Sequence, residues 1–254
     1  LGEENQDNCH IYCYNYGQAG SIMFYGKEVG IPQPICPNGS FIFWSPDSKK
    51  LIAIQRKTPP KRKVHIVESS PKDQLQPKLR SYQYAKPGDR LPTQTLRLFS
   101  IDRRQEITVS NELFANPYET QFVGWSKSSD RFWLLYHQRG HQVKRLLEVS
   151  ATNGAVRTLI EEKSDTFIHY SSSGKSVFQD LPHQQILWAS ERSGWNHLYR
   201  FDRKSGKLIN LVTSGDWNVK RIERVDMAAQ TIFFYAVGVY DDQDPYHEHF
   251  CRVD

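Results

Sequence analysis

The sequence has no long apolar run. None of its 254 residues lies in a stretch near the ~18 consecutive apolar residues that a membrane-spanning helix needs, and its mean hydropathy is −0.64. We therefore expect no membrane span. The first residues, Leu1-Gly2-Glu3-Glu4, lack the basic start and apolar segment of a secretion signal. The chain is expected to be a part of something longer.

Cysteine is scarce and shows no metal-binding spacing. Cys9, Cys13, Cys36 and Cys251 include no Cys-x-x-Cys pair, which zinc-ribbon sites use to place four thiolates around one ion. The sequence therefore predicts no zinc ribbon. Two alternatives stay open for these residues, one disulfide between strands or free thiols.

A broad basic surface is also missing. The chain has 33 Lys and Arg against 28 Asp and Glu, a net charge of +5, and its densest basic cluster is confined to the interval between Arg56 and Lys63. Nucleic-acid binding needs a basic face that follows the phosphate backbone, not one loop. We expect no nucleic-acid partner.

Helical periodicity is hard to find, whereas short apolar or alternating runs recur between turn residues, as strands do. The 32 aromatic rings exclude a disordered chain. The sequence predicts an all-β protein. The clearest runs are FIFW (Phe41 to Trp44), KLIAIQ (Lys50 to Gln55), RFWLLYH (Arg131 to His137), QILWAS (Gln185 to Ser190) and TIFFYAVG (Thr231 to Gly238).

Four segments repeat one alternating pattern and end on a small polar residue: RLFSID, RLLEVS, LYRFD and FCRVD. Their last residues, Asp102, Ser150, Asp202 and Asp254, are 48, 52 and 52 residues apart. Two further strands precede the pattern, and a turn with Asn153-Gly154 or Ser205-Gly206 leads to a fourth. Four strands in about 50 residues are typical of a β-propeller blade.

On this count the chain is a partial propeller of about four to five blades. Asp254 ends the third strand of its blade, so the ring is expected to be incomplete at that end. Open strand edges pair readily with another chain, so a homodimer is a possible partner arrangement. An insertion at about residues 69–92, rich in proline, is expected to project from one blade as an arm.

Three strings carry a family resemblance: WSPDSKKLIAI from Trp44, QPKLRSYQYAKPGDRLPTQTLRLFSID from Gln76, and ILWASERSGWNHLYRFDRKSGKLINLVTSGDWNV from Ile186. They resemble the N-terminal propeller of the dipeptidyl peptidase IV subfamily of prolyl oligopeptidase-type serine peptidases. The resemblance covers the chain from about Tyr14 to its end.

The resemblance implies an eight-bladed propeller that caps a C-terminal α/β-hydrolase domain with a Ser, Asp and His triad. That domain is absent, and no Gly-x-Ser-x-Gly elbow occurs in this sequence. The fragment alone is therefore expected to be non-catalytic, with no catalytic residue, metal or cofactor. The expected partners are a peptide substrate, cleaved after Pro or Ala near its amino terminus, and the hydrolase domain. The implied location is periplasmic or extracellular, in a bacterium.

Glu28 is the candidate substrate-binding residue. The family has a Tyr-Glu-Glu-Glu-Val stretch whose carboxylates hold the ammonium group of the peptide, and the matching stretch here is Tyr25-Gly26-Lys27-Glu28-Val29. Gly26 and Lys27 replace two acids, so Glu28 is either a weakened ammonium anchor or an ordinary surface glutamate. This departure keeps an alternative open, a non-catalytic propeller that binds a peptide or protein partner.

Other groups of polar residues have structural interpretations. His247 and His249 share one strand face while Glu248 takes the other, which favours a solvated acidic turn over a metal site. Asp180, Glu191 and Arg192 could line a channel, but the sequence favours a structural role for Arg192 and Trp195, which fix the turn between two strands. A carbohydrate-active propeller would need paired inward carboxylates, which a sequence cannot place.

Overall fold

The computed structural model describes residues 40–60, 62–170 and 178–254. In this part of the chain, strands are the main regular element, and the one helical segment is a 3-10 turn at Glu112–Phe114. The strands are β1 (Ser40–Trp44), β2 (Lys50–Lys57), β3 (Lys63–Glu68), β4 (Lys78–Gln83), β5 (Thr93–Ser100), β6 (Gln105–Ile107), β7 (Pro117–Trp125), β8 (Arg131–Gln138), β9 (Val143–Ser150), β10 (Val156–Lys163), β11 (Phe178–Leu181), β12 (Gln185–Ser190), β13 (His197–Asp202), β14 (Leu208–Leu211), β15 (Asn218–Asp226), β16 (Thr231–Val237) and β17 (Glu248–Val253).

The strands form antiparallel meanders that repeat along the chain. Blade 1 has the order β1-β2-β5-β6, blade 2 is β7 to β10, blade 3 is β11 to β14, and blade 4 is β15-β16-β17. The four repeated segments lie on β5, β9, β13 and β17, which are the third strands of their blades. The prediction of an all-β, partial β-propeller is therefore confirmed, with four blades in the described residues.

Two compact units divide between Glu106 and Ile107. In the first, the hairpin β3-β4 is inserted between β2 and β5, in register from Lys63 with Gln83 to Glu68 with Lys78. Its first strand precedes the proline-rich segment 69–92, and its second lies within that segment. The prolines lie outside both strands, so they do not interrupt the ladder. They are Pro71 and Pro77 in the connecting loop, and Pro87 and Pro92 before β5.

The turn that begins with WSPD is built from its own side chains. Ser45 is buried; its hydroxyl donates to Asp47 Oδ1 at 2.6 Å and accepts the Lys50 backbone N–H at 2.9 Å. The corresponding turn of blade 2 has the same kind of hydrogen bond, since the Ser126 hydroxyl donates to Asp130 Oδ1 at 2.7 Å. Hydrogen bonds from Arg131 and from the hydroxyls of Ser128 and Ser126 lower the pKa of Asp130.

Strand β12 is buried on both faces, which explains why QILWAS is almost continuously apolar. One face packs Ile186 and Trp188 against blade 2, in a layer that we call seam 2/3. The other face packs Leu187 and Ala189 against blade 4, in seam 3/4. Blade 3 thus completes the cores of blades 2 and 4, as stacked blades of a propeller do.

Glycine is required where blade 3 turns between β13 and β14. Gly206 has φ +71°, and a Cβ added there would lie 2.3 Å from the Leu159 carbonyl oxygen on β10. Gly154 occupies the corresponding turn of blade 2 with φ +76°. Both glycines therefore adopt the left-handed backbone that their Asn-Gly and Ser-Gly sequences predict.

Candidate functional site

Several residues singled out by the sequence lie outside the described residues. These are the candidate anchor Glu28 with Gly26 and Lys27, the acid pair Glu3 and Glu4, and the cysteines Cys9, Cys13 and Cys36. Cys251, on β17, is a partly buried free thiol, and burial raises its pKa. The ammonium-anchor hypothesis therefore stays a prediction.

The described residues place a polar group at one end of seam 2/3. At this end, which we call the proximal end, β8, β10 and β12 finish and β7, β9 and β13 begin. His137, Lys144 and Glu162 are direct cross-strand partners across β8, β9 and β10. Direct partners share one sheet face, so three buried polar side chains form a row where the apolar seam ends.

Glu162 has hydrogen-bond donors on both carboxylate oxygens. One carboxylate oxygen accepts the indole N–H of Trp188 at 2.8 Å, and the other accepts the Ser190 hydroxyl at 2.7 Å. Arg192 forms an ion pair with the same carboxylate. A buried carboxylate is tolerated only with such donors, so Glu162 joins blade 2 to blade 3.

Arg192 fixes the turn after β12, as the sequence predicts. Its backbone N–H and its Nε both donate to the Ser190 hydroxyl, at 3.2 and 2.8 Å. Its guanidinium lies 4.9 Å from the Tyr199 ring centroid and 5.2 Å from that of Phe201. Sequence reasoning missed its partner Glu162, which lies 30 residues away in another blade.

A polar cavity of about 140 Å³ opens beside this network, lined by Lys144, Glu162, Glu191 and Arg192 among others. It is large enough to hold a few water molecules. Ser190 on its wall is part of the network, since its hydroxyl donates to Glu162 and accepts from Arg192.

Four rings gather beside the cavity at the proximal end. His141 stacks on Tyr170 with centroids 3.8 Å apart and planes inclined by 11°, and the Tyr118 ring meets His141 edge-on at 4.6 Å. His137 Nε2 lies 3.3 Å from His141 Nδ1. Sequence analysis did not identify this group, because its members lie on β7, β8, a turn and the segment after β10.

The remaining candidates have structural partners. Asp180 forms an ion pair with Arg203, and the Arg203 guanidinium lies 5.2 Å from the Trp133 ring centroid, so Arg203 links blade 3 to blade 2. Glu248 is bound by Lys220 and Arg221, which lower its pKa. Among the described residues, no three His, Cys, Asp or Glu side chains are grouped to hold a metal, and no helix is long and apolar enough to span a membrane.

The blades and the satisfied charges define a class of protein, a β-propeller region whose buried polar groups connect its blades. The chain belongs to the family of the dipeptidyl peptidase IV (DPP IV) N-terminal region, whose sequence model matches residues 37–254.

Individual relatives agree with this assignment. The chain is 26% identical over 207 residues to inactive dipeptidyl peptidase 10 of Rattus norvegicus and of Mus musculus, covering 76% of this chain and 25% of each relative. It therefore spans about a quarter of their length.

Solved structures show the same fold. The dipeptidyl peptidase 4 of Porphyromonas gingivalis matches with a TM-score of 0.58 and 20% identity, over 78% of this chain and 27% of that one. A putative dipeptidyl aminopeptidase IV from Bacteroides ovatus matches with a TM-score of 0.53 and 17% identity, over 79% and 32%.

Proposed function

We propose that this chain is the substrate-gating and docking region of a dipeptidyl peptidase IV-like serine peptidase. The observation that carries the proposal is the family match over residues 37–254 in a chain without a Gly-x-Ser-x-Gly elbow. In this proposal an α/β-hydrolase domain, C-terminal in the full-length protein, supplies the serine, histidine and aspartate. The propeller selects which peptides reach them, and no cofactor takes part.

The proposed substrates are peptides with a free amino terminus and Pro or Ala as the second residue. Glu28 is the residue that we assign to the ammonium group, as a single carboxylate acceptor. Lys27 beside it adds a positive charge that opposes a cation, so we expect capture of the amino terminus to be weak.

The proposal is tested by assaying the full-length protein on chromogenic Gly-Pro and Ala-Pro substrates, with free and with blocked amino termini. We expect hydrolysis of the free-amine substrates only. Equal rates on free and blocked substrates would contradict the ammonium anchor. If the protein hydrolyses neither substrate, the proposed peptidase function is wrong.

A matched pair of variants tests the anchor separately. Glu28→Gln should raise KM for free-amine substrates with little change in kcat, because it removes charge from binding. Lys27→Glu should lower KM, because it restores a second acid. Unchanged KM in both variants would make Glu28 an ordinary surface residue.

A second candidate function is a non-catalytic propeller that binds a peptide or protein. Gly26 and Lys27, which replace acids, favour it, and two relatives carry the word inactive in their names. Here the full-length protein would bind a Gly-Pro peptide without cleaving it. Mass spectrometry of the peptide after incubation separates the two functions.

Self-association through the hairpin β3-β4 is part of the proposal. Val67 and Leu79 are direct cross-strand partners, 62% and 67% exposed, and a lone two-stranded hairpin is marginal in water. A second copy could cover this pair around a twofold axis. Sedimentation of the full-length protein should show a dimer that Leu79→Lys converts to a monomer, whereas Lys72→Glu in the hairpin loop leaves it unchanged.

For its location we propose the periplasm or the extracellular space, on the resemblance to the family. Cell fractionation with an antibody against the full-length protein is the test, and recovery in the cytoplasmic fraction would contradict it.

A further inference from the structure

Positive charge is concentrated in one segment of the chain. Residues 56–92 contain 10 Lys and Arg against 3 Asp and Glu, a net charge of +7. The rest of the chain, with 23 basic and 25 acidic residues, has a net charge of −2. The positive net charge of the chain therefore comes entirely from this segment, which carries the hairpin β3-β4.

Antiparallel pairing brings the two ends of the segment together at the base of the hairpin. Arg62 forms an ion pair with Asp89 at 2.9 Å, and Lys57 is the register partner of Thr93, three residues after Arg90. The cations before β3 thus lie beside those that follow β4. The basic surface is therefore broader than the loop that the sequence alone defines.

Most cations of this surface are not compensated within the segment. Its three acids are already bound, in the ion pairs Arg62–Asp89, Lys78–Asp73 and Arg80–Glu68. Six exposed cations have no ion-pair partner among the described residues: Arg56, Lys57, Lys63, Lys72, Lys86 and Arg90. An anionic partner relieves the repulsion among such like charges.

The hairpin also presents apolar side chains to solvent at its tip. Leu75, in the loop between Lys72 and Lys78, is 100% exposed, and Val67 and Leu79 beside this loop are more than half exposed. Basic residues around an exposed apolar tip fit an anionic bilayer, which offers charged headgroups above an apolar layer. Nucleic acid supplies phosphates but no apolar layer that takes up a leucine.

We propose that the hairpin and its basic base form a peripheral binding surface for anionic phospholipid membranes. The cations contact the lipid phosphates, and Leu75 enters the interface between headgroups and acyl chains. The rest of the chain has a slight negative charge, so the contact is confined to this segment. The pair Val67 and Leu79 is not required for it, and the inference does not depend on the proposed peptidase function.

The test measures co-sedimentation of the full-length protein with phosphatidylcholine vesicles that contain about 30% phosphatidylglycerol. We expect binding to these vesicles and little binding to pure phosphatidylcholine. Raising the salt concentration from about 0.05 M to about 0.5 M should release most of the protein, because salt screens the contact with the headgroups.

A matched pair of triple variants tests which cations are responsible. Reversing three charges at the base of the hairpin should lower the partition coefficient at least about tenfold, in Lys63→Glu/Lys86→Glu/Arg90→Glu. The same change of net charge at exposed turns of blades 2 and 3 should leave binding near that of the parent, in Lys127→Glu/Lys204→Glu/Lys207→Glu. The unfolding midpoint of each variant checks that it folds.

The apolar tip is tested separately by Leu75→Ser, which leaves the charge unchanged. We expect the partition coefficient for anionic vesicles to fall about threefold or more, because one side chain no longer enters the apolar layer.

Equal binding to neutral and anionic vesicles, or equal binding by the two triple variants, would overturn the inference. A parent protein that binds no vesicle would overturn it as well. If that protein then binds duplex DNA, the basic surface serves nucleic acid instead of a membrane.

Discussion

Seams 2/3 and 3/4 share the strands of blade 3 but close their proximal ends differently. Seam 2/3 ends in a buried carboxylate, Glu162, with Arg192 as its ion-pair partner and a cavity beside them. Seam 3/4 ends in groups without an ion pair: His197 contacts the Thr213 hydroxyl at 3.1 Å and the Gly215 carbonyl at 2.8 Å, and Trp217 meets the His197 ring edge-on.

This difference predicts how strongly a single substitution at each seam lowers the free energy of unfolding. Removing the buried Glu162 carboxylate leaves several donors without an acceptor, whereas removing the neutral Thr213 hydroxyl costs fewer hydrogen bonds. We therefore expect seam 2/3 to be the more sensitive of the two to single substitutions. The cavity and the pair His137 and His141 also lie at the proximal end of seam 2/3. The more sensitive seam is therefore also the candidate site.

The largest effect is expected at Glu162. Glu162→Ala removes the partner of Arg192 and the acceptor of Trp188 and Ser190. It should lower the free energy of unfolding by about 3 to 5 kcal/mol, because two buried donors are left unsatisfied at about 1 to 3 kcal/mol each. Urea denaturation followed by tryptophan fluorescence measures this change. The neighbouring Glu161→Gln is the control, because Glu161 lies on the opposite face with Lys163 and Arg145, and it should cost below about 1 kcal/mol. Equal losses in the two variants would mean that the Glu162 carboxylate does not stabilise the seam.

The next effect is expected where blade 3 turns against β10. Gly206→Ala should cost about 2 to 4 kcal/mol, because it adds left-handed strain and a contact with the Leu159 carbonyl. Gly140 has φ +104°, and no atom lies within 4 Å of a Cβ added there. Gly140→Ala therefore measures backbone strain alone. Thermal unfolding of both variants gives the difference, and similar midpoints would show that the blades separate easily at this point.

The seam without an ion pair should respond less. Thr213→Val keeps the volume but removes the hydroxyl that accepts the Leu198 N–H at 3.0 Å and contacts His197. We expect a loss of about 1 to 3 kcal/mol by urea denaturation. A loss greater than that of Glu162→Ala would reverse the comparison of the two seams.

The smallest effect is expected at the exposed turn of blade 2. The pKa of Asp130 is lowered in the folded state, so its contribution to stability is present above about pH 4, the unfolded value, and is lost as the pH falls through the folded pKa. Asp130→Asn should cost below about 1 kcal/mol at pH 7 and converge with the parent protein as the pH falls. Unfolding midpoints of both proteins between pH 7 and pH 2 measure this convergence. A difference in stability that grows as the pH falls would contradict the lowered pKa of Asp130.

The repeat and the turns could be predicted from the sequence because they are local. Alternation and spacing placed the third strands, and Asn153-Gly154 and Ser205-Gly206 placed the turns that lead to the fourth strands. In each case the residues that decide the structure are neighbours in the chain.

The contacts between blades could not be predicted in this way. Glu162 appears in the sequence as one of two adjacent acids, and nothing local distinguishes it from Glu161, which lies in an exposed ion pair. The histidine and tyrosine group likewise draws on elements up to 52 residues apart, from Tyr118 to Tyr170. Proline content also misplaced the start of the inserted hairpin, since β3 precedes the first proline of segment 69–92.

The central claim, that this region gates a serine peptidase without performing the chemistry, is tested most directly by covalent labelling. The full-length protein is treated with a fluorophosphonate probe, which reacts with activated serines, and the labelled peptide is mapped by mass spectrometry. The account predicts one labelled serine, C-terminal to Asp254, and no label within residues 1–254. A label inside this chain, or a full-length protein that takes up no probe, would contradict it.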